Sequence, residues 1–123
     1  MNIVQDSKVI LVCVNLKKDN DFNALVEEGV ALVNSAGYSI VHTLIVSRNT
    51  IDSKFFIGSG KVDELKAMVA AFDVQTIIIN HNLSSIQERN LEVELKHTVI
   101  DRTRLILNIF AARVTGREGL LQV

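Results

Sequence analysis

Four runs rich in β-branched and aliphatic residues alternate with four stretches whose apolar residues recur at helical spacing. Lys8 to Val14 is continuous and β-rich, which suits a strand buried on both faces. Asp19 and Asn20 then offer a helix cap, and Phe22, Leu25, Val26, Gly29 and Val33 follow at helical spacing. Gly37 stands where a left-handed residue closes that helix. Tyr38 to Val46 reads as a second strand, and a polar connection runs from Ser47 to Lys54. The second helix presents Val62, Leu65, Val69 and Phe72, with Met68 beside them. Val74 to Ile79 is a third strand. Ser84 and Gln87 have capping-box spacing at the head of a third helix that reaches about Lys96. Thr98-Val99-Ile100 is a short fourth strand, and Asp101 can cap a last helix carrying Leu105, Ile106, Ile109 and Phe110. The order β-α-β-α-β-α-β-α predicts an α/β fold: a four-stranded, mainly parallel sheet with helices on both faces and right-handed crossovers.

A length of 123 residues fits one domain. Apolar residues make up 48% and charged residues 22%, which excludes a disordered chain. The net charge of −1 excludes a global basic field of the kind that binds nucleic acid without specificity. Charge is unevenly placed, however. Residues 102–123 carry four arginines against one glutamate, a net +3, and the preceding 101 carry 9 basic and 13 acidic residues, a net −4. The last residues, Leu120-Leu121-Gln122-Val123, are too apolar for a solvated tail, so residues 1–112 are expected to form the domain and 113–123 to begin a truncated helical linker. Cys13 is alone and sits in an apolar strand, the place of a small buried hydrophobe. No signal peptide and no apolar run near the ~20 residues of a membrane span are visible. A cytoplasmic protein without membrane contact is expected.

Gly58-Ser59-Gly60-Lys61 invites comparison with a phosphate loop. That motif needs a glycine where Phe55 stands and a hydroxyl where Val62 stands, so both conditions fail. The dinucleotide fingerprint fails at Asp63. Two readings stay open. Gly58, Ser59, Gly60 and Lys61 can form an anion site in which helix N–H groups and the lysine meet a phosphate. Alternatively, they form a plain turn with Ser59 as cap and Asp63 and Glu64 complementing the helix dipole. Asp101-Arg102-Thr103-Arg104 lies at the C-terminal end of a predicted parallel strand, where open α/β sheets place ligands. Arg102 and Arg104 suit phosphate, since a guanidinium donates two hydrogen bonds at once; local capping and surface ion pairs are the competing reading. His42, His81 and His97 are scattered and give no metal-ligand spacing. No nucleophile stands out, and Glu88, Glu92 and Glu94 read as a solvated helix face. No catalytic residue is assigned.

Several segments, in order, resemble the HflX family of ribosome-associated GTPases. Phe56 to Leu65 is similar to its (Y/F)IGSGK-x-x-EL segment, and Leu83 to Glu92 to LSPxQxRNLE, with Ser85 in place of proline. Val99 to Thr103 matches V-x-DRT, Leu105 to Ala111 matches LILDIFA with Asn108 for aspartate, and Arg117 to Val123 resembles REGKLQV. The match is close over 55–123 and pattern-level before that. The resemblance implies an N-terminal α/β domain followed by a two-helix linker, a GTPase domain and a small C-terminal domain. It implies binding to the large ribosomal subunit, with this region facing rRNA near the peptidyl-transferase centre, and a role in splitting stalled or idle ribosomes. GTP and Mg²⁺ would be held downstream, with no cofactor in this chain, and the parent's own GTPase domain would be a second partner through the linker. An alternative within the same resemblance is ATP binding or hydrolysis at the Gly58–Lys61 loop, which lacks a placed Mg²⁺ ligand.

Overall fold

The computed structural model describes residues 8–16, 22–48 and 50–121, with side chains up to residue 111. Strands β1 (Lys8–Leu16), β2 (Ser39–Arg48), β3 (Thr76–Ile79) and β4 (Thr98–Ile100) alternate with helices α1 (Phe22–Ser35), α2 (Ser59–Phe72), α3 (Ser85–Leu95) and α4 (Arg102–Leu121). The strands form one sheet in the order β2-β1-β3-β4, and all three pairings are parallel. Every helix therefore starts at the C-terminal end of the sheet.

Side-chain alternation along β1 divides the core. Ile10, Val12 and Val14 point to one face, where they meet Val62, Leu65 and Val69 of α2 and Leu91 and Leu95 of α3. Val9, Leu11 and Cys13 point to the other, with Val33 of α1 and Leu105 of α4. Both faces of β1 are fully buried, which explains its unbroken apolar run. The register between β1 and β2 shifts once, at Val9/Ile10.

Local signals fall largely where expected. Gly37 closes α1 at a φ of 89°. Ser84 caps α3 in a full capping box: its hydroxyl accepts from the Gln87 N–H, and the Gln87 side chain accepts from the Ser84 N–H. The Asp101 carboxylate accepts from the Arg104 N–H at 2.9 Å, capping α4, and from the Leu83 N–H at 3.2 Å. The cap expected at Asp19 and Asn20 lies outside the described residues.

Some expectations need correction. Phe72 and Phe110 are exposed; Phe72 stacks on His42 of the edge strand β2, with centroids 5.4 Å apart. The three α3 glutamates are not simply solvated. Glu88 and Glu94 form ion pairs, and Glu92 accepts from the Val99 N–H, tying α3 to β4. No helix among the described residues is long and apolar enough to cross a membrane.

Candidate nucleic-acid interface

The two polar motifs singled out in the sequence follow β2 and β4, which lie at opposite edges of the sheet. Both stand at its C-terminal end, and the start of α3 lies between them. Arg104 reaches α3 through Glu88 at 3.0 Å. The segment after β2 reaches α3 through Gln87 and Asn90.

Gly58, not Ser59, is the N-cap of α2, with a φ of 89° and no side-chain cap. Ser59 is already helical, so the turn reading with a serine cap is corrected. Asp63 and Glu64 lie beyond the first turn, which holds no acid. A Cβ at Gly58 would collide with the Arg48 guanidinium, which packs against the glycine. Only glycine meets both the positive φ and that contact. Arg48 donates from Nε to the Thr50 carbonyl at 2.8 Å and from Nη1 to the Ile57 carbonyl at 3.1 Å. An open cleft beside it is lined by Arg48, Asp52, Gly58, Gly60, Lys61 and Glu64.

This segment does not fit a nucleotide triphosphate with its metal. Position 62, where a hydroxyl would hold Mg²⁺, is a buried valine, and Phe56 and Ile57 are core residues. Lys61 is drawn to Glu64 at 3.0 Å. Among the described residues, no three His, Cys, Asp or Glu side chains are grouped so as to hold a metal ion.

All three cations picked out in the sequence sit in ion pairs: Lys61 with Glu64, Arg102 with Glu28 at 2.8 Å, and Arg104 with Glu88. The pairs are at least partly exposed, so each adds little to stability. Arg102 also bridges helices, because Glu28 belongs to α1.

The segment from Thr50 to Ile57, read in the sequence as the end of a polar connection leading to the Gly58 motif, is highly organised. Asp52 and Phe56 exchange backbone hydrogen bonds at 3.1 and 2.9 Å. The Asp52 carboxylate accepts from the N–H groups of Lys54 and Phe55. Phe56 is buried at a φ of 66°, and Ile57 N–H bonds back to the Phe55 carbonyl at 2.6 Å. That is a tight turn of the strained, positive-φ kind. The Phe56 ring rests on His81, whose Nε2 accepts from the Val14 N–H at 3.0 Å, joining the turn to the end of β1. Gln87 Nε2 donates to the Asp52 carbonyl at 2.9 Å, and Asn90 Nδ2 to the Lys54 carbonyl at 3.1 Å. The one signal available earlier was the pair of amides in the Gln87-Glu88-Arg89-Asn90 run.

Comparison with known proteins agrees with this architecture. A family model described as "GTP-binding GTPase N-terminal" matches residues 23–111. The GTPase HflX of Alkalihalophilus pseudofirmus is 40% identical over 116 residues, covering 94% of this chain and 27% of that protein. The GTPase HflX of Escherichia coli gives the same figures, 40% over 116 residues with 94% and 27% covered. A GTP-binding protein from Sulfolobus solfataricus, solved in complex with GDP, superposes with a TM-score of 0.63 at 28% identity, over 85% of this chain and 30% of that one. The chain thus spans just over a quarter of the length of the curated relatives it matches. With its parallel four-stranded sheet, its motif order and its match over residues 23–111, the chain belongs to the family of N-terminal domains of HflX-type GTP-binding proteins.

Proposed function

We propose that this domain places an HflX-type GTP-binding protein on the large ribosomal subunit by contacting rRNA phosphates, in the cytoplasm and in the service of ribosome splitting or rescue. GTP and Mg²⁺ are held, and GTP hydrolysed, by a part of the protein outside these residues. The domain itself performs no catalysis; its partners are the rRNA and the GTPase domain.

One observation carries this reading. The N-terminus of α2, which no side chain caps, and the cations Arg48, Lys54, Lys61, Arg102 and Arg104 stand at the C-terminal end of the sheet, where α3 and α4 also start, capped by Ser84 and Asp101. Helix N-termini favour anions through their unpaired N–H groups and dipole. The uncapped start of α2 supports that role. Phosphate contacts of this kind fix position without reading bases, and their affinity falls with salt. The net negative charge of residues 1–101 restricts the contact to this rim.

The test uses the intact protein with Lys61, Arg102 and Arg104 changed to alanine together. Co-sedimentation with purified large subunits should weaken at moderate salt. Unchanged co-sedimentation would remove these residues from the interface.

A further inference from the structure

We infer that the turn Ile51–Phe55, clamped on α3 by Gln87 and Asn90, is the element of this domain that enters RNA, with Lys54 meeting a phosphate and the Phe55 ring receiving an unpaired base. This rests on the ribosome-binding reading above and names the part that makes the closest contact.

The turn is built to hold its shape. Its ends are bridged by two backbone hydrogen bonds between Asp52 and Phe56, and its outer carbonyls, those of Asp52 and Lys54, are gripped by side-chain amides from α3. Pre-ordering of this degree removes the entropy cost that a floppy loop would meet on binding. A hinge or a disordered connection would need none of these latches.

The single acid in the turn, Asp52, turns one oxygen inward to the N–H groups of Lys54 and Phe55 and balances the charge of Lys54. Arg48, at the root, is bonded to the carbonyls of Thr50 and Ile57 and so keeps its positive charge without a carboxylate in those bonds. Lys54 is exposed and its ammonium lies 5.1 Å from the centroid of the Phe55 ring. The charge of Lys54 is felt by Glu94 without a direct ion pair, whereas Lys61, Arg102 and Arg104 each hold a glutamate directly.

The Lys54–Phe55 pair supplies both halves of single-strand recognition. Unpaired bases stack on aromatic rings while cations follow the backbone. The cation over the ring is a weak contact in water. Moving Lys54 to a phosphate uncovers the ring for a base. Phe55 is half-buried and packs in part against the core, so only the part of the ring beneath Lys54 is offered to a base. An acidic protein surface would use the lysine and not that part of the ring, so RNA is the favoured partner.

The experiment measures binding of the intact protein to purified large subunits over a range of KCl concentrations. Lys54→Ala should weaken binding about fivefold and lower the salt slope by about 1. Phe55→Leu should weaken it about tenfold with little change of slope, and Phe55→Tyr should restore it, because a stacking face is what is lost. Because Phe55 also packs against the core, urea unfolding midpoints are measured for both Phe55 variants, and weakened binding by Phe55→Leu at an unchanged midpoint separates stacking from a packing defect. In a second arm, an iron chelate on Ser53→Cys should cut rRNA strands that the unaltered protein, carried through the same chemistry, leaves whole. Wild-type affinity in both Lys54→Ala and Phe55→Leu, or no new rRNA cleavage from position 53, overturns the inference while leaving ribosome binding intact. Contact of position 53 with a ribosomal protein alone also overturns it. Failure of the unaltered protein to bind large subunits removes the functional reading itself.

Discussion

Gln87 and Asp52 are separated by 35 residues in the chain and joined by one hydrogen bond of 2.9 Å. The same glutamine closes the capping box of α3 by accepting from the Ser84 N–H at 2.9 Å. One side chain thus starts a helix with its oxygen and latches a distant turn with its nitrogen. Changing Gln87 to alanine should cost about 1–2 kcal/mol, the worth of a cap contact plus a hydrogen bond. Gln87→Glu keeps an oxygen for the cap but brings a carboxylate to the Asp52 carbonyl. Urea unfolding should rank the midpoints wild type above Gln87→Glu above Gln87→Ala. A Gln87→Ala midpoint equal to wild type would deny the double role.

Glycines 29, 58 and 60 should respond differently to alanine. A Cβ at Gly29 would lie 2.7 Å from Asn80 Nδ2, which donates to the Leu25 carbonyl at 2.9 Å and sits fully buried. Gly29→Ala should therefore cost roughly 2 kcal/mol by overpacking and loss of that bond. Gly58→Ala meets both a positive φ and the Arg48 guanidinium, and should cost at least about 1 kcal/mol. Gly60 has open space around its Cα and lies in a helical turn, so Gly60→Ala should stabilise by about 0.5 kcal/mol. Thermal melts of the three variants decide the order.

Binding and stability should separate at Arg104. Its pair with Glu88 is half exposed, and such pairs contribute about 0–1 kcal/mol. Arg104→Ala should shift the melting temperature by no more than a few degrees while weakening large-subunit binding severalfold. A large loss of stability without loss of binding would make the arginine structural.

Alkaline pH should destabilise the domain through Cys13. Burial pushes its thiol from 9.0 up to about 11. Above the unfolded value the unfolded chain loses its thiol proton first, so stability falls as pH rises from about 9 to 11, with a slope reaching ~1.4 kcal/mol per pH unit. Cys13→Ala, though less stable overall, should have a shallower slope in that window. At the acid end the sign reverses. The hydrogen bond and charge of Lys66 hold the Glu94 carboxyl below its usual range, so its support is present near neutrality and fades as the carboxyl protonates. Glu94→Gln should flatten the acid limb of the pH–stability curve.

Period and capping chemistry carried most of the architecture. The runs of β1 and β3 could be read because both faces of those strands are buried, and Ser84, Gln87 and Asp101 announced their helices through contacts three residues away. What could not be read were relations across the chain. Strand order set the Gly58 and Asp101 motifs at opposite edges, with α3 between them. The ion-pair partners of Arg102 and Arg104 lie 74 and 16 residues away. Ser47 to Lys54 looked like a polar connection because, beside the local bonds of Asp52, its order comes from Gln87 and Asn90, which no local pattern links to it. Ser59 was mistaken for a cap because residue type alone favours serine there, whereas the Arg48 guanidinium and a positive φ demand glycine at the position before it.

The most direct measurement is a titration of large ribosomal subunits with the intact protein at several salt concentrations, repeated with Lys61, Arg102 and Arg104 all changed to alanine. The unaltered protein should bind with an affinity that falls steeply as salt rises, and the triple variant should bind more weakly with a shallower dependence. Salt-independent binding would contradict an RNA-phosphate role for this end of the sheet, and a triple variant indistinguishable from the unaltered protein would remove Lys61, Arg102 and Arg104 from that role.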